Sequence, residues 1–327
     1  MEGDGPRQGP EAKDMTVNLP LAGEFRTAVP VFPDFRPLTL ADRAIFREIL
    51  WAYQPETSEL TFTNLFIWQT YCGYQWSRAG DWLLVVAQPV GGGSWALPPL
   101  GPAPRREISR RLLGWLRETR GEPSAAIERA DARLLAELAG TPGLAVEPQR
   151  EHFDYVYRTA DLIQLAGGKY HSKRNYLNTF QRTYHYRYEP LEERHLAECR
   201  ELVARWCRMK RCQEDLSLMG EWEAVKAALD NFLDLEIQGG VVLVDGRVEA
   251  FTLGEMLNRE TAVVHIEKAD PEIRGLYAAI NQLFCQNAWS AASFINREQD
   301  LGDPGLREAK TSYHPHRLVE KFRLRLL

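Results

Sequence analysis

The sequence predicts an α/β protein in which mixed sheet carries helices on both faces. Two observations support this class: β-rich segments with a period of two alternate with helical segments, and short turn signals separate them. A chain of 327 residues is also long for one hydrophobic core, which favours two domains. We place residues 1–30 in a disordered tail, 31–166 in an N-terminal domain and 167–327 in a C-terminal domain, with the boundary at Gly167 and Gly168.

The first half combines short strands with amphipathic helices. Thr39 and Asp42 have the spacing of a capping box, which predicts the start of a helix. The three glycines at 91–93 lack the spacing of a phosphate-binding loop, and we interpret them as a turn. The predicted elements are a strand at 31–40, a helix at 41–53, a strand at 82–87, helices at 105–119 and 131–140, and a strand at 152–158.

Residues 169–188 differ in charge from the segments around them. They contain Lys169, Lys173 and Arg174, interleaved tyrosines, and no acidic residue. Two interpretations stay open. The segment is either a helix with a solvated basic face, or a surface that binds the phosphates of a nucleotide cofactor or an RNA.

Clear turn and helix-start signals organise the rest of the chain. Asp245-Gly246 between two β-rich runs predicts a two-residue hairpin turn. Pro271 in the first turn of the following helix predicts an end with free N–H groups, which is a natural anion site. The predicted elements are helices at 191–209 and 221–235, a hairpin at 241–254, a strand at 261–269, a helix at 271–289, a strand ending near 297, a short helix after 304, and a strand at 317–326.

The strand at 261–269 carries the first candidate catalytic residues. Period-two alternation places His265 and Glu267 on one face, near the carboxyl end of the strand, where α/β sheets bind ligands. One interpretation is a structural ion pair or a satisfied core histidine. The other is an acid/base site in which a partly desolvated Glu267 takes a proton from an attacking amine or hydroxyl.

The next strand ends in a second dense group of polar residues. Asn296, Arg297, Glu298 and Asp300 fall within five residues, and we predict that they bind substrate beside Glu267. Arg297 or Lys310 is suited to hold a carboxylate or phosphate.

Tyr313 follows as a candidate proton donor to a leaving group. His314 and His316 lack further ligands nearby in the sequence, so we predict no metal site.

Composition narrows the functional classes. The net charge of −5 gives no whole-chain argument for nucleic-acid binding. Five cysteines without a C-x-x-C pair argue against a disulfide framework and suit a reducing cytosol. Neither a secretory signal nor an apolar run of about 18 residues is found, so we expect a cytoplasmic protein without a transmembrane segment.

The runs HIEKA, NREQDLG, GLREAKTSYHP and KRNYLNTF together resemble one known family. They are similar to soluble relatives of the phosphatidylglycerol lysyltransferase C-terminal domain, the DUF2156 family. The resemblance implies two tandem GNAT-like acyltransferase domains, related to the Fem-type aminoacyltransferases, with aminoacyl-tRNA as the donor. Glu267 falls where the lysyltransferases have an acid at the end of the central strand. Lys310 matches the lysine of their K-x-x-[FY]-x-P run.

Two departures from related patterns affect the donor and acceptor. Acetyltransferases of the GNAT type bind the CoA pyrophosphate with [RQ]-x-x-G-x-[GA], whereas here Glu272 precedes Gly275 and Tyr277 follows it. An acid at this point disfavours acetyl-CoA. The lysyltransferases also carry many transmembrane helices that this chain lacks, so a lipid acceptor does not follow from the resemblance.

Three functional hypotheses remain at this stage. The first is transfer of an acyl or aminoacyl group, from aminoacyl-tRNA, to a small-molecule or peptide acceptor through its amine or hydroxyl. The second is an acyl-CoA-dependent N-acyltransferase. The third is a non-catalytic module that binds RNA, including tRNA, or a peptide through residues 169–188. We predict no tightly bound cofactor in any of the three.

Overall fold

The computed structural model describes residues 28–89 and 91–327, so nearly all of the predicted tail lies outside the described residues. The strands are β1 Arg36–Pro37, β2 Gln75–Ala79, β3 Trp82–Ala87, β4 Trp95–Ala96, β5 Ala126–Ala130, β6 Leu144–Pro148, β7 Asp154–Arg158, β8 Tyr186–Pro190, β9 Gln238–Val244, β10 Arg247–Met256, β11 Thr261–Ala269, β12 Phe294–Asn296, β13 Arg317–Val319 and β14 Phe322–Leu326. The helices are α1 Arg43–Tyr53, α2 Phe62–Ile67, α3 Gln69–Cys72, α4 Arg106–Glu118, α5 Ala132–Leu138, α6 Thr159–Gln164, α7 His171–Thr183, α8 Leu196–Lys210, α9 Leu216–Asp230, α10 Phe232–Leu235, α11 Leu276–Ala288 and α12 Pro304–Thr311.

The strands form two seven-stranded mixed sheets, which confirms the predicted α/β class. The first sheet has the order β1-β2-β3-β4-β5-β14-β6, and the second has the order β13-β7-β12-β11-β10-β9-β8. Most neighbours are antiparallel, whereas β4–β5 and β11–β12 are parallel pairs.

Three apolar clusters hold the sheets and helices together. One packs α4 and α5 on the first sheet, through residues such as Leu112 and Ile127. The largest lies between the sheets and joins α1 and α2 to α8 and α9, with Phe46 and Leu202 among its members. The third packs α6, α7 and α11 on the far side of the second sheet, around Phe284. Both faces of the second sheet are therefore covered.

The chain exchanges strands between the two sheets. β7 precedes residue 167 but pairs with β12 and β13 in the second sheet. The predicted single strand at 317–326 is wrong, because β13 belongs to the second sheet while β14 returns to the first. Between them, Lys321 is fully buried and its Nζ lies 2.7 Å from Asp154 and 2.6 Å from Glu59. The sheets therefore do not divide at residue 167.

Local signals agree with the structure where they concern turns and helix starts. Asp245 and Gly246 both have positive φ, as the predicted hairpin turn requires. Asp303 accepts a hydrogen bond from the N–H of Leu306 and begins α12 with Pro304 in its first turn.

Other boundaries differ from the prediction. The strand predicted at 31–40 shrinks to β1, and the helix predicted at 221–235 is α9 followed by α10. The helix predicted to start at Pro271 begins only at Leu276, since Gly275 before it has φ +88°.

Cys207 and Cys212 form a disulfide across the turn between α8 and α9, with their Cα atoms 5.2 Å apart. Five cysteines without a C-x-x-C pair argue against a disulfide framework, and this single bridge is one that the sequence did not predict. Across the described residues, no helix has both the length and the apolar character needed to span a bilayer.

Candidate functional site

β11 and β12 separate to form a fork near the carboxyl end of the second sheet's central strand. The parallel pairing joins Thr261 to Phe294 and ends where Val263 pairs with Asn296. Beyond this point β11 continues to Ala269, whereas the chain after β12 turns away. We define the fork as the gap between residues 264–269 and residues 297–300. Within the described chain, the main chain of β11 has no strand partner on this side.

A β-bulge at His265 decides which side chains share a face. Leu253 pairs with Ile266 and Gly254 with Val264, so His265 has no partner residue on β10. A Cβ at Gly254 would lie 2.4 Å from the carbonyl oxygen of Val263, so this close approach requires glycine.

The bulge shifts the alternation, so the prediction that His265 and Glu267 share a face is wrong. His265 contacts Thr61 and Glu255 on the face that packs toward the first sheet, which we call the inter-sheet face. Glu267 contacts Asn281 of α11 on the opposite face, which we call the outer face. Ile266 and Val264 belong to different apolar clusters, as this arrangement requires.

On the outer face, Glu267 and Arg297 form an ion pair across the fork. Arg297 Nη2 lies 2.9 Å from Glu267 Oε1, and Asn281 Nδ2 donates to Glu267 Oε2 at 3.3 Å. The two side chains are 13% and 14% exposed, so the pair is mostly buried but keeps some contact with solvent. Burial opposes the charge of Arg297, but Glu267 outweighs it and the pKa of the guanidinium rises above its usual range.

Tyr313 and Lys173 complete this outer group. The Lys173 ammonium lies 4.2 Å from the centre of the Tyr313 ring, and the Arg297 guanidinium lies 5.1 Å from it. Among the described residues, Lys173 makes no ion pair; burial, followed by the nearby Arg297 charge, lowers its pKa. Burial raises the pKa of Tyr313 to about 12. The group holds two cations and one carboxylate, which leaves an excess positive charge.

On the inter-sheet face, the His265 ring lies between two carboxylates. Its Nδ1 is 2.9 Å from Glu298 and its Nε2 is 3.0 Å from Glu255. Asn64, at the start of α2, donates to the same oxygen of Glu298 at 3.1 Å. Residues of the first half therefore reach the fork from this side.

The structure places three further predicted residues in supporting positions. Lys310 is buried and donates to the main-chain carbonyls of Arg297 and Gln299, and burial lowers its pKa to about 8. Asn296 is fully buried and donates to Asp154 and to the carbonyl of Glu56. Asp300 accepts hydrogen bonds from Arg307 and Tyr155. These residues fix the turn after β12.

The basic segment divides between the site and its surroundings. Of its three predicted substrate-binding residues, Lys173 lies in the outer group. Arg174 donates to the carbonyls of Leu165 and Gly167 and so ties α7 to the preceding loop. Lys169 is exposed, with its ammonium 4.9 Å from the Tyr170 ring.

The predicted anion site at the start of α11 is covered by α7. A Cβ at Gly275 would lie 2.3 Å from the carbonyl oxygen of Tyr176 and 3.0 Å from Phe180 Cβ. A main-chain carbonyl and an apolar side chain thus occupy the space beside this helix end. Neither group is suited to bind a phosphate.

Several residues of the site had no sequence signal. Asn64, Thr61 and Glu255 reach His265 or Glu298 only because α2 and β10 pack beside the fork. Asn281 was visible as a polar residue in an apolar helix, but its partner Glu267 emerges only from the fold. A polar residue such as Asn281 on a buried helix face indicates a buried hydrogen-bond partner, and this was the available signal for the contact with Glu267.

Comparison with known proteins relates this arrangement to a family. A family model described as phosphatidylglycerol lysyltransferase, C-terminal, matches residues 52–325. A conserved protein of unknown function from Bacteroides thetaiotaomicron VPI-5482 is 32% identical, with a TM-score of 0.84, covering 90% of this chain and 99% of that one. A search of curated proteins gives no match.

Two more distant structures share the fold. L-PGS from Bacillus licheniformis is 14% identical, with a TM-score of 0.61, and the match covers 87% of this chain and 92% of that one. FemX is 10% identical, with a TM-score of 0.57, covering 90% and 97%. The tandem GNAT-like fold that the resemblance implied is confirmed. Because the family model spans most of the sequence, the chain belongs to the family of phosphatidylglycerol lysyltransferase C-terminal domains.

Proposed function

We propose that the protein is an aminoacyltransferase that passes an aminoacyl group from aminoacyl-tRNA to an amine or hydroxyl acceptor by direct attack. Membership of the family supports this class of reaction. The observation that carries the proposal is the outer group at the open fork, where Glu267, Arg297, Tyr313 and Lys173 meet. It combines a carboxylate, a hydroxyl and excess positive charge in one place.

Glu267 is suited to deprotonate the acceptor. Arg297 holds its Oε1, while Oε2 has only a long contact from Asn281. Oε2 therefore takes the proton from the acceptor as its nitrogen or oxygen forms a bond to the ester carbonyl carbon. A base in this position contributes about 10² to 10⁴ in rate.

The unpaired main chain of β11 is suited to stabilise the intermediate. Carbonyl attack creates an oxyanion, and N–H groups in the fork are donors of the kind that bind it. The bond between the carbonyl carbon and the tRNA ribose oxygen then breaks. Tyr313 gives that oxygen a proton, and the proton held by Glu267 then returns to Tyr313 through solvent, so that both residues regain their starting states. A pKa near 12 keeps the Tyr313 hydroxyl protonated and able to donate.

Lys173 and Arg297 are suited to hold an anionic part of the donor. The phosphodiester at the 3′ end of tRNA carries such a charge, and charge-assisted hydrogen bonds to phosphate are strong. The covered start of α11 argues against a CoA pyrophosphate at that position. The covered helix start therefore supports a tRNA ester over a thioester of CoA as the donor.

A transfer assay tests the proposal directly. Total tRNA charged with radiolabelled amino acids is incubated with the protein and with hydroxylamine as an amine acceptor, and aminoacyl hydroxamate is measured above the uncatalysed rate. A parallel reaction contains acetyl-CoA. We expect transfer from tRNA and none from acetyl-CoA. Transfer from acetyl-CoA alone would establish the N-acyltransferase alternative, and tRNA binding without loss of the ester would establish a binding module.

A further inference from the structure

The main chain and the side chain of His265 have different environments. Its side chain is 1% exposed, yet the residue as a whole is half-buried. The part of His265 that meets solvent is therefore its main chain at the bulge. This is the same stretch of β11 that lacks a strand partner in the fork.

The His265 ring links the strands on both sides of β11. Glu255 belongs to β10, and Glu298 follows β12. Because each ring nitrogen faces a carboxylate oxygen at 3.0 Å or less, both nitrogens carry protons. A ring in this state has no free lone pair with which to accept a proton from a substrate. While it is held in this bridge, His265 is therefore not a general base.

We infer that His265 is a positioning residue. The Glu255–His265–Glu298 bridge fixes the bulge so that the main-chain N–H groups of β11 face the fork, where the oxyanion forms. This inference rests on the proposed function, because it assigns the bridge a part in that reaction. The inference goes beyond the proposed function because it places the controlling side chains on the inter-sheet face, away from the substrate.

Residues of the first half brace the same bridge. Asn64 donates to Glu298, and the Thr61 hydroxyl lies 3.4 Å from His265 Nε2. Glu298 itself has φ +56°, a conformation that few residues with a side chain adopt, and its N–H donates to Asn296 at 2.8 Å. Such a conformation persists only where surrounding contacts determine it.

The charges of the bridge agree with this role. Burial disfavours the imidazolium, but the hydrogen bonds to Glu255 and Glu298 prevail and raise the pKa of His265 to about 9. Burial likewise opposes the charge of Glu255, yet His265, Thr61 and Thr63 lower its pKa. Both shifts favour the charged forms of His265 and Glu255 at neutral pH.

Two variants test the bridge. His265→Gln removes the cation, and Asn64→Ala removes only the brace on Glu298. Hydrogen exchange of the main-chain amides in 261–269 reports on the bulge, and the hydroxamate assay gives kcat and KM separately. We expect faster exchange in both variants, and for His265→Gln a kcat about 100-fold lower with little change in KM.

Glu137→Gln is the matched control. It breaks another carboxylate–cation pair, in which the buried Arg105 donates to Glu137 Oε1 at 2.9 Å, but it lies on α5, which packs on the first sheet away from the fork. We expect it to leave the exchange of the bulge and kcat unchanged. Unfolding midpoints of all variants are recorded, so that general destabilisation is recognised.

The outcomes separate the two proposals. Wild-type exchange or wild-type kcat in His265→Gln overturns the positioning role. If His265→Gln does not fold, unchanged exchange and kcat in Asn64→Ala overturn it instead. A wild-type protein that transfers nothing overturns the proposed function. The hydrogen-exchange comparison then still tests whether the bridge fixes the bulge.

Discussion

The two faces of β11 differ in how completely their charges are satisfied. On the inter-sheet face, both nitrogens of His265 have carboxylate partners and the side chain is sealed from solvent. On the outer face, Glu267 has one cation, while Lys173 has no ion pair among the described residues and the group keeps partial contact with solvent. A closed network stabilises a backbone conformation, whereas an open one with excess charge is able to bind a ligand.

The largest expected effect concerns the open face. Glu267→Gln keeps the shape of the side chain but removes the carboxylate that takes the proton. We expect the transfer rate to fall about 10² to 10⁴-fold without loss of folding, as measured by the hydroxamate assay and circular dichroism. The exposed Glu272→Gln, in the turn just beyond β11, is the control and should change the rate less than about twofold. An undiminished rate in Glu267→Gln would remove Glu267 from the mechanism.

Substitution of Lys321 on the inter-sheet side should lower the free energy of unfolding rather than the transfer rate. Lys321→Met leaves Asp154 and Glu59 buried without their cation. We expect the free energy of unfolding to fall by about 3–5 kcal/mol, measured by urea denaturation. Arg200→Met removes a half-exposed pair with Asp230 and should cost less than about 1 kcal/mol. Equal losses in the two variants would contradict the contrast between buried and surface pairs.

The pH dependence of stability should report on the charge of His265 on the inter-sheet face. The pKa of His265 is raised from 6.5 to about 9, so its contribution is complete below pH 6.5 and is lost as the pH rises through 9. A shift of this size corresponds to about 3 kcal/mol. We expect the stability difference between wild type and His265→Gln to shrink over this range.

The comparison of wild type with His265→Gln is needed because Lys310 titrates in the same pH range. Its pKa is lowered to about 8, so its own effect on stability has the opposite sign between pH 8 and 10.5. Urea denaturation at pH 6 and pH 9.5 measures the free energy of unfolding of wild type and of His265→Gln. A difference that stays constant with pH would show that His265 is not charged in the folded protein.

The smallest expected effect concerns the unpaired cation of the open face. Lys173→Gln should raise KM for aminoacyl-tRNA about tenfold and change kcat little, because it removes one charge-assisted contact. Lys226→Gln is the control, since Lys226 also lies over an aromatic ring, 5.7 Å from the centre of Trp222, but on α9. A larger effect on kcat than on KM would place Lys173 in the chemical step.

Sequence reasoning was most successful where structure depends on neighbouring residues. The Asp245-Gly246 turn, the strand β11 and the start of α12 follow from local conformational preference and side-chain capping. The clustering of Glu267 with Arg297 also followed, since adjacent strand ends meet at one edge of a sheet.

The sequence by itself determined the class of fold, the family and the meeting of Glu267 with Arg297 at the fork. Only the tertiary structure decided which face each residue at the fork occupies. Period-two alternation predicts faces only while the register is regular, and the bulge at His265 arises from pairing with β10 and packing on both faces. Likewise, Asn64 and Lys321 acquire their partners through contacts between segments more than two hundred residues apart, or across both sheets. Such contacts depend on how the whole core packs, and short-range sequence patterns do not predict them.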